Sequence, residues 1–304
     1  MLPMTFRDRL NQPGILLLDG AMGTELARRG INLTLPLWSA AAVLYAPETV
    51  IQIHAEYLAA GADIITTTTF RTDRHIFTKA GLAQQLARQA CFAAVHLAQT
   101  AINNQIEQRC VFIAGSLAPL EDCYHPELVQ DYDTIFSIQS EKAAWLAEAG
   151  VDFLLIETMN NNIETLATTQ AALRTGLPVI TSCLLCDADH LFDGTDIKPL
   201  MFELFNKGIT AFALNCFHHT IISEFLNRYL PEIPLPLAVY PNADYYYPES
   251  GWQKDPTFTP ANFARIALNW LKMGVKIIGG CCGTTPNHIH ALHNLITQNR
   301  QLSS

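Results

Sequence analysis

The plainest chemistry in the chain stands at the end of its last apolar run. Ile277-Ile278-Gly279-Gly280-Cys281-Cys282-Gly283-Thr284-Thr285-Pro286 carries two adjacent thiols between glycines. A disulfide between neighbours is disfavoured: a trans peptide holds Cα atoms about 3.8 Å apart, whereas disulfides want about 4.4–6.8 Å. Buried packing and ligation of a soft metal both stay open for this stretch alone, because free cysteine often behaves as a small hydrophobe. A third ligand elsewhere would decide, and Cys216, in Asn215-Cys216-Phe217-His218-His219, is the candidate. Two carboxylates follow similar apolar runs. Glu157 comes after Phe153-Leu154-Leu155-Ile156, and Asp19 after Leu16-Leu17-Leu18. A charge so placed is rarely buried without a partner. The bland readings are a salt bridge for Glu157 and a helix N-cap for Asp19.

These residues need a scaffold that brings strand ends together. A unit recurs along the chain: a glycine closes a helix, and a buried strand follows within a few residues. Gly61 precedes Ile64 to Phe70, Gly150 precedes Phe153 to Thr158, Gly208 precedes Ala211 to Cys216, and Gly274 precedes Ile277 to Cys282. Four more apolar runs, at 15–20, 111–116, 178–183 and 237–242, fill the gaps, with amphipathic stretches between them at 48–60, 82–100, 135–149, 163–174 and 261–273. Eight β/α units in 304 residues match a single-domain (β/α)₈ TIM barrel spanning 1–304. The glycine-rich fingerprint of a doubly wound dinucleotide fold is absent. Barrel chemistry sits at the C-terminal strand ends, which places Glu157, Cys216, Cys281 and Cys282 on one rim. Three converging thiolates favour Zn²⁺, whose catalytic sites commonly use three protein ligands and leave one position open. Acidic rim groups beside it suit a substrate bearing a cationic amino group.

Rival ligands are weaker. His218 lies two residues past Cys216 and could replace one cysteine. Cys183 and Cys186 form a Cys-x-x-Cys, but residues three apart on a strand face opposite ways, so core packing is expected. Cys91 and Cys110 are expected in the core as well. Cys123 and His125 fall in the third βα loop, where a lid or plain exposure explains them as well as a metal does.

Hydrophobic residues make up 49% and charged ones 15%, as suits an enzyme rich in buried parallel strand. A formal charge of -9 opposes phosphate backbones, so nucleic acid is not an expected partner. The first residues lack the apolar centre of a signal peptide, and no window reaches the roughly 18 apolar residues of a membrane span. A cytoplasmic setting is expected, with the eight cysteines as thiols or ligands.

The motifs together resemble the zinc-dependent homocysteine S-methyltransferases, which include the S-methylmethionine and betaine enzymes and the homocysteine module of cobalamin-dependent methionine synthase. The matching stretches are Asp19-Gly20-Ala21-Met22-Gly23-Thr24-Glu25-Leu26, Thr67-Thr68-Thr69-Phe70, Ile156-Glu157-Thr158, Asn215-Cys216, Tyr240-Pro241-Asn242 and Gly279 to Pro286. The resemblance implies a (β/α)₈ barrel, zinc on Cys216, Cys281 and Cys282, and the amino-acid end of homocysteine on Asp19 and Glu157. Phe70, Asn215 and Asn242 stand in its motifs and are assigned to the substrate pocket, although packing explains Phe70 equally well. Methyl transfer to homocysteine, giving methionine, is the implied reaction. Thr67-Thr68-Thr69-Phe70 lacks the asparagine of many relatives, and Arg71 and Arg74 put two cations in the next loop. Asp244-Tyr245-Tyr246-Tyr247-Pro248 is an aromatic loop that could face a sulfonium or ammonium donor. S-methylmethionine or S-adenosylmethionine is the expected donor. Betaine, a corrinoid partner, or a zinc-dependent barrel enzyme of another class are the alternatives; the oligomeric state is open.

Overall fold

The apolar runs become eight parallel strands. In the computed structural model, which describes residues 4–106, 109–247 and 251–302, they are β1 (Leu16–Leu17), β2 (Ile64–Thr66), β3 (Phe112–Leu117), β4 (Phe153–Met159), β5 (Val179–Cys183), β6 (Ala211–His218), β7 (Leu237–Asn242) and β10 (Ile277–Ile278). A hairpin, β8 (Tyr245–Tyr247) with β9 (Gly251–Gln253), lies between the last two. Sheet order is β1-β10-β7-β6-β5-β4-β3-β2, and a parallel bridge from Leu18 to Ile64 joins the two ends. The barrel expected from the sequence is present.

The helices in chain order are α1 (Phe6–Asn11), α2 (Gly23–Arg28), α3 (Ala40–Tyr45), α4 (Pro47–Ala59), α5 (Arg74–Lys79), α6 (Gln84–Asn103), α7 (Tyr132–Ala149), α8 (Asn162–Leu173), α9 (Ile197–Lys207), α10 (His219–Tyr229), α11 (Pro260–Met273) and α12 (Pro286–Leu302). Gly150, Gly208 and Gly274 close α7, α9 and α11 in the left-handed conformation, which glycine adopts without a Cβ clash. Among the described residues no helix is long and apolar enough to cross a membrane.

Strand alternation sorts the core into two shells. Leu17, Ile65, Ile113, Leu154, Phe212 and Val239 point outward and pack under the helices. Leu16, Leu18, Ile64, Phe112, Phe153, Ile180 and Ile277 fill the barrel interior together with Phe6. Phe6, from α1, stacks on Phe153 at a 3.9 Å centroid distance and meets Phe112 edge-on at 5.5 Å. It plugs the N-terminal end of the barrel. Among the cysteines, Cys91 and Cys183 are buried as expected, but Cys110 and Cys186 are exposed. Cys110 falls before β3 begins, and Cys186 follows the end of β5, so neither shares its neighbour's packing.

Candidate active site and metal centre

Two bulges build the rim. The ladder between β4 and β5 slips between Ile156 and Met159, and that between β6 and β7 slips between Asn215 and His218. Thr158 and Cys216 stand at these slips with φ of 64° and 66°, a conformation that non-glycine residues rarely hold and that clusters at functional sites. Such bulges re-aim side chains, and here they turn Glu157 and Cys216 into the barrel mouth. Asn215 ties the two slips together. Its Oδ1 accepts from Thr158 N at 3.0 Å and Ser182 Oγ at 2.7 Å, while its Nδ2 donates to Thr158 Oγ1 at 3.0 Å. That side chain is fully buried and sits behind the cavity wall.

The eighth unit reaches the same rim by close approach. Gly279 N donates to Val239 O, Gly280 N to Asp19 O and Cys281 N to Pro241 O, so the chain stays bonded to its neighbours past the last ladder residue. A Cβ on Gly279 would lie 2.7 Å from Leu18 Cβ, and one on Gly280 would lie 2.4 Å from Thr284 Oγ1. Only glycine lets this strand end close against β1. Thr284 Oγ1 then donates to Cys281 O and receives Ala21 N, fixing the turn that carries both thiols.

The sulfurs of Cys216, Cys281 and Cys282 all lie within 4.8 Å of one another, with Cys216 and Cys282 3.9 Å apart. Zn–S bonds of about 2.3 Å at tetrahedral angles require sulfurs about 3.8 Å apart, so the trio has the spacing of a metal centre. The donors also fit in charge. Cys216 is held well below the ordinary thiol range by hydrogen bonds from Cys281 and Cys282, with Tyr124 and Asn242 adding to it, while Cys281 and Cys282 are pushed up. Thiols packed this closely compete for one another's protons, and a bound cation would favour the thiolate form of all three. Asn242 Nδ2 donates to Cys216 O at 2.7 Å, and its Oδ1 is buried without a partner. His218 does not join the trio. Its Nδ1 faces Thr220 Oγ1 at 3.0 Å, its Nε2 faces Asp255 at 3.1 Å, and its ring stacks on Tyr245 at 3.6 Å. The side chains of Tyr246 and Tyr247, and Pro248, lie outside the described residues.

The carboxylates face the same space. Asp19 accepts from Thr66 N at 2.8 Å and Thr66 Oγ1 at 2.9 Å, so it spans β1 and β2; α2 has no side-chain cap. Glu157 accepts from Ser116 Oγ. Burial pushes Asp19 up to about 8 against the pull of Thr66, and the Glu157 charge adds to the rise. Burial likewise pushes Glu157 up to about 7; the Ser116 hydrogen bond and Lys142 oppose it, and the Cys216 charge adds to it. Two carboxyls so destabilised as anions are poised for a cationic partner.

Both carboxyls and all three sulfurs line one cavity of about 420 Å³, within the usual size of a small-molecule site. Its far wall comes from loops. Trp38, held at φ 43°, meets Phe70 edge-on at 5.6 Å, and Gly23 is bare because a Cβ there would enter the Trp38 ring. Phe70, Arg71, Asp122, Cys123 and Tyr124 complete it. Tyr124 OH donates to Cys216 O at 2.9 Å and lies 3.3 Å from Cys216 Sγ. Cys123, for which the sequence allowed plain exposure, is buried in this wall. Trp38 and Tyr124 escaped sequence reading because neither stands at a strand end, and a lone aromatic in a loop carries no spacing signal.

A (β/α)₈ barrel enzyme with a candidate three-cysteine metal site and two carboxyls in its mouth is the class that fold and site define. The family model for homocysteine S-methyltransferase matches residues 16–296, and the chain belongs to that family. Homocysteine S-methyltransferase of Escherichia coli K12 is 31% identical over 94% of this chain and 96% of the relative. The metallated form of the Escherichia coli homocysteine methyltransferase MmuM superposes with a TM-score of 0.83 at 30% identity, over 95% of this chain and 98% of that one. Selenocysteine methyltransferase of Astragalus bisulcatus is 27% identical over 95% of each chain.

Proposed function

We propose that this enzyme moves a methyl group from a sulfonium amino acid, S-methylmethionine before S-adenosylmethionine, to the thiol of homocysteine, with Zn²⁺ on Cys216, Cys281 and Cys282. The observation that carries it is the convergence of three sulfurs and two carboxyls on one closed-ended cavity. Bound there, zinc supplies the Lewis acidity that keeps an acceptor sulfur deprotonated at neutral pH. The chain's own residues do the rest. Asp19 and Glu157 ionise against the acceptor ammonium and fix its position, so the sulfur points at the cysteine rim. Thr66 and Ser116 hold the two carboxyls still. Trp38, Phe70 and Tyr124 wall the cavity and keep water from the electrophilic methyl group. The donor C–S bond breaks as the new S–CH₃ bond forms; donor sulfur leaves as a neutral thioether, and the acceptor's thiol proton goes to solvent. Alignment of donor and acceptor is worth several kcal/mol in such a reaction.

The whole chain, 1–304, acts as one homocysteine-binding domain in this reading. Its eight cysteines, none in a disulfide, suit a reducing cytoplasm, and its charge of -9 turns away nucleic acid. The test is methionine formation by zinc-loaded protein given homocysteine and, separately, S-methylmethionine, S-adenosylmethionine, betaine and a methyl-corrinoid. S-methylmethionine should be used fastest. No methionine from any donor by fully zinc-loaded protein would overturn the reading.

A further inference from the structure

Arg71 is a cation without an internal counter-ion. It is only 6% exposed and lines the cavity, yet its Nη1 lies 3.4 Å from Leu120 O, at the far limit of a hydrogen bond, and its Nε is buried without a partner. The neighbouring cations are matched: Arg74 pairs with Glu141 and Lys79 with Glu121, which His75 also contacts. Among the described residues no carboxylate lies within 4.0 Å of Arg71. Lys142 is buried close by, its Nζ donating to Phe70 O at 3.3 Å; burial lowers its affinity for a proton, while Asp73 and Glu157 favour its charge and Arg71 opposes it. A guanidinium offers five donors in a planar fork, and burying it with one long contact is costly unless a ligand completes it.

We infer that Arg71 anchors the carboxylate of the methyl donor, which makes this end of the cavity a subsite for carboxylated sulfonium or ammonium donors. The inference rests on the methyl-transfer reading above and deepens it. A carboxylate takes the guanidinium fork in two parallel hydrogen bonds, which sets orientation as well as affinity. The acceptor's carboxylate is the rival occupant, and placement argues against it. The acceptor ammonium belongs between Asp19 and Glu157, at the ends of β1 and β4. Arg71 stands on the loop after β2, against Leu120 and beside Cys123, whereas Asp19 and Glu157 are held at the strand ends by Thr66 and Ser116. The Phe70 ring, which also lines the cavity, has the Arg71 guanidinium 5.6 Å from its centroid and the Trp38 edge on it. An onium group between an arginine-held carboxylate and the cysteine rim would meet those aromatic faces.

The experiment compares ligands with and without a free carboxylate on the wild type and Arg71→Gln, by turnover and by calorimetric binding to zinc-loaded protein. The donor pair is S-methylmethionine and its methyl ester; the acceptor pair is homocysteine and 3-aminopropane-1-thiol. Wild type should prefer the donor acid over its ester by about 10–100-fold, and Arg71→Gln should use both alike. Loss of the acceptor carboxylate should cost the same in both proteins. Arg71→Lys, which keeps the charge without the fork, should recover part of the donor preference, and zinc content with a thermal melt checks that each variant folds. If the preference that disappears in Arg71→Gln is the acceptor's, or if the wild type does not distinguish donor acid from ester, the assignment is overturned. Binding separates this from the reaction itself. Arg71-dependent donor binding without methionine formation upholds the subsite and rejects the proposed reaction; methionine formation without donor discrimination does the reverse.

Discussion

The two walls of the cavity are built by opposite means. One consists of strand ends, where β1, β4, β6 and the turn after β10 deliver Asp19, Glu157 and three cysteines. Each of these positions is fixed by ladder hydrogen bonds, by a bulge, or by glycines that admit a close approach. The other wall consists of loops, residues 31–39 and 119–125, with Phe70 and Arg71 after β2. Rigid elements place chemistry within tenths of an ångström, whereas loops vary without disturbing the sheet. In the proposed reaction the acceptor and metal fall to the strands, and recognition of the donor falls to the loops.

The largest expected effect breaks the strand wall. Cys281→Ala removes one of three sulfurs from a centre that needs all three, so purified protein should lose its zinc and methionine formation should drop more than about 10³-fold. Metal analysis after gel filtration checks this, and full zinc retention would remove Cys281 from the ligand set. Glu157→Gln should act on the same wall without touching the metal. Truncating one partner of a buried charge pair costs about 2–5 kcal/mol, so kcat/KM for homocysteine should fall roughly 10²–10³-fold with zinc content unchanged. Zinc loss with normal acceptor kinetics would exchange the roles of the two groups.

The same contrast explains what the sequence disclosed. Four strands, Glu157 and the cysteine trio could be read because they follow repeat glycines by a few residues; the other four strands and Asp19 were legible as apolar runs and the charge that ends one of them. Alternation alone would have put Asn215 and Cys216 on opposite faces; the bulge that resolves this has no sequence mark, since Cys216 holds a left-handed φ that residue type does not announce. Asn215 and Asn242 were legible as motif members but not as to place. Both sit behind the wall, Asn215 spanning the two bulges and Asn242 holding the Cys216 carbonyl. On the loop side nothing sets spacing. Trp38, Tyr124 and the hairpin of β8 and β9 depend on contacts between segments far apart in the chain, which a pattern of period two or 3.6 does not carry.

Where the walls touch, the effect should be smaller. Tyr124 leans from its loop onto Cys216, and removing its hydroxyl takes the hydrogen bond to the Cys216 carbonyl and a polar neighbour 3.3 Å from the sulfur proposed to hold the metal. Such outer partners cost about 10–100-fold in metal affinity or activity when deleted. Tyr124→Phe should sit near the low end, about tenfold in zinc affinity by chelator competition, since Asn242 still holds the Cys216 carbonyl at 2.7 Å. An affinity equal to wild type would show that the loops recognise donor without supporting the metal.

The smallest effect is one of stability, and its sign is opposite to that on activity. In the ligand-free fold Glu157 titrates at about 7 rather than near 4.5, and Asp19 at about 8 rather than near 3.8. Below the unfolded values both states hold these protons, and the carboxyls cost nothing. As pH rises through the interval up to the folded values, the unfolded chain releases protons that the fold retains, so stability falls with pH and levels off above about 8. Glu157→Gln removes its share of that loss, and its carbonyl can still accept from Ser116 Oγ. Metal-free, ligand-free Glu157→Gln should therefore be more stable than wild type at pH 8.5, by on the order of 1–3 kcal/mol, and equal to it below pH 4.5. Urea unfolding at the two pH values measures the difference. A variant less stable than wild type at pH 8.5, or a difference that ignores pH, would mean that Glu157 is already satisfied without substrate, and the poised acceptor site would lose its physical basis.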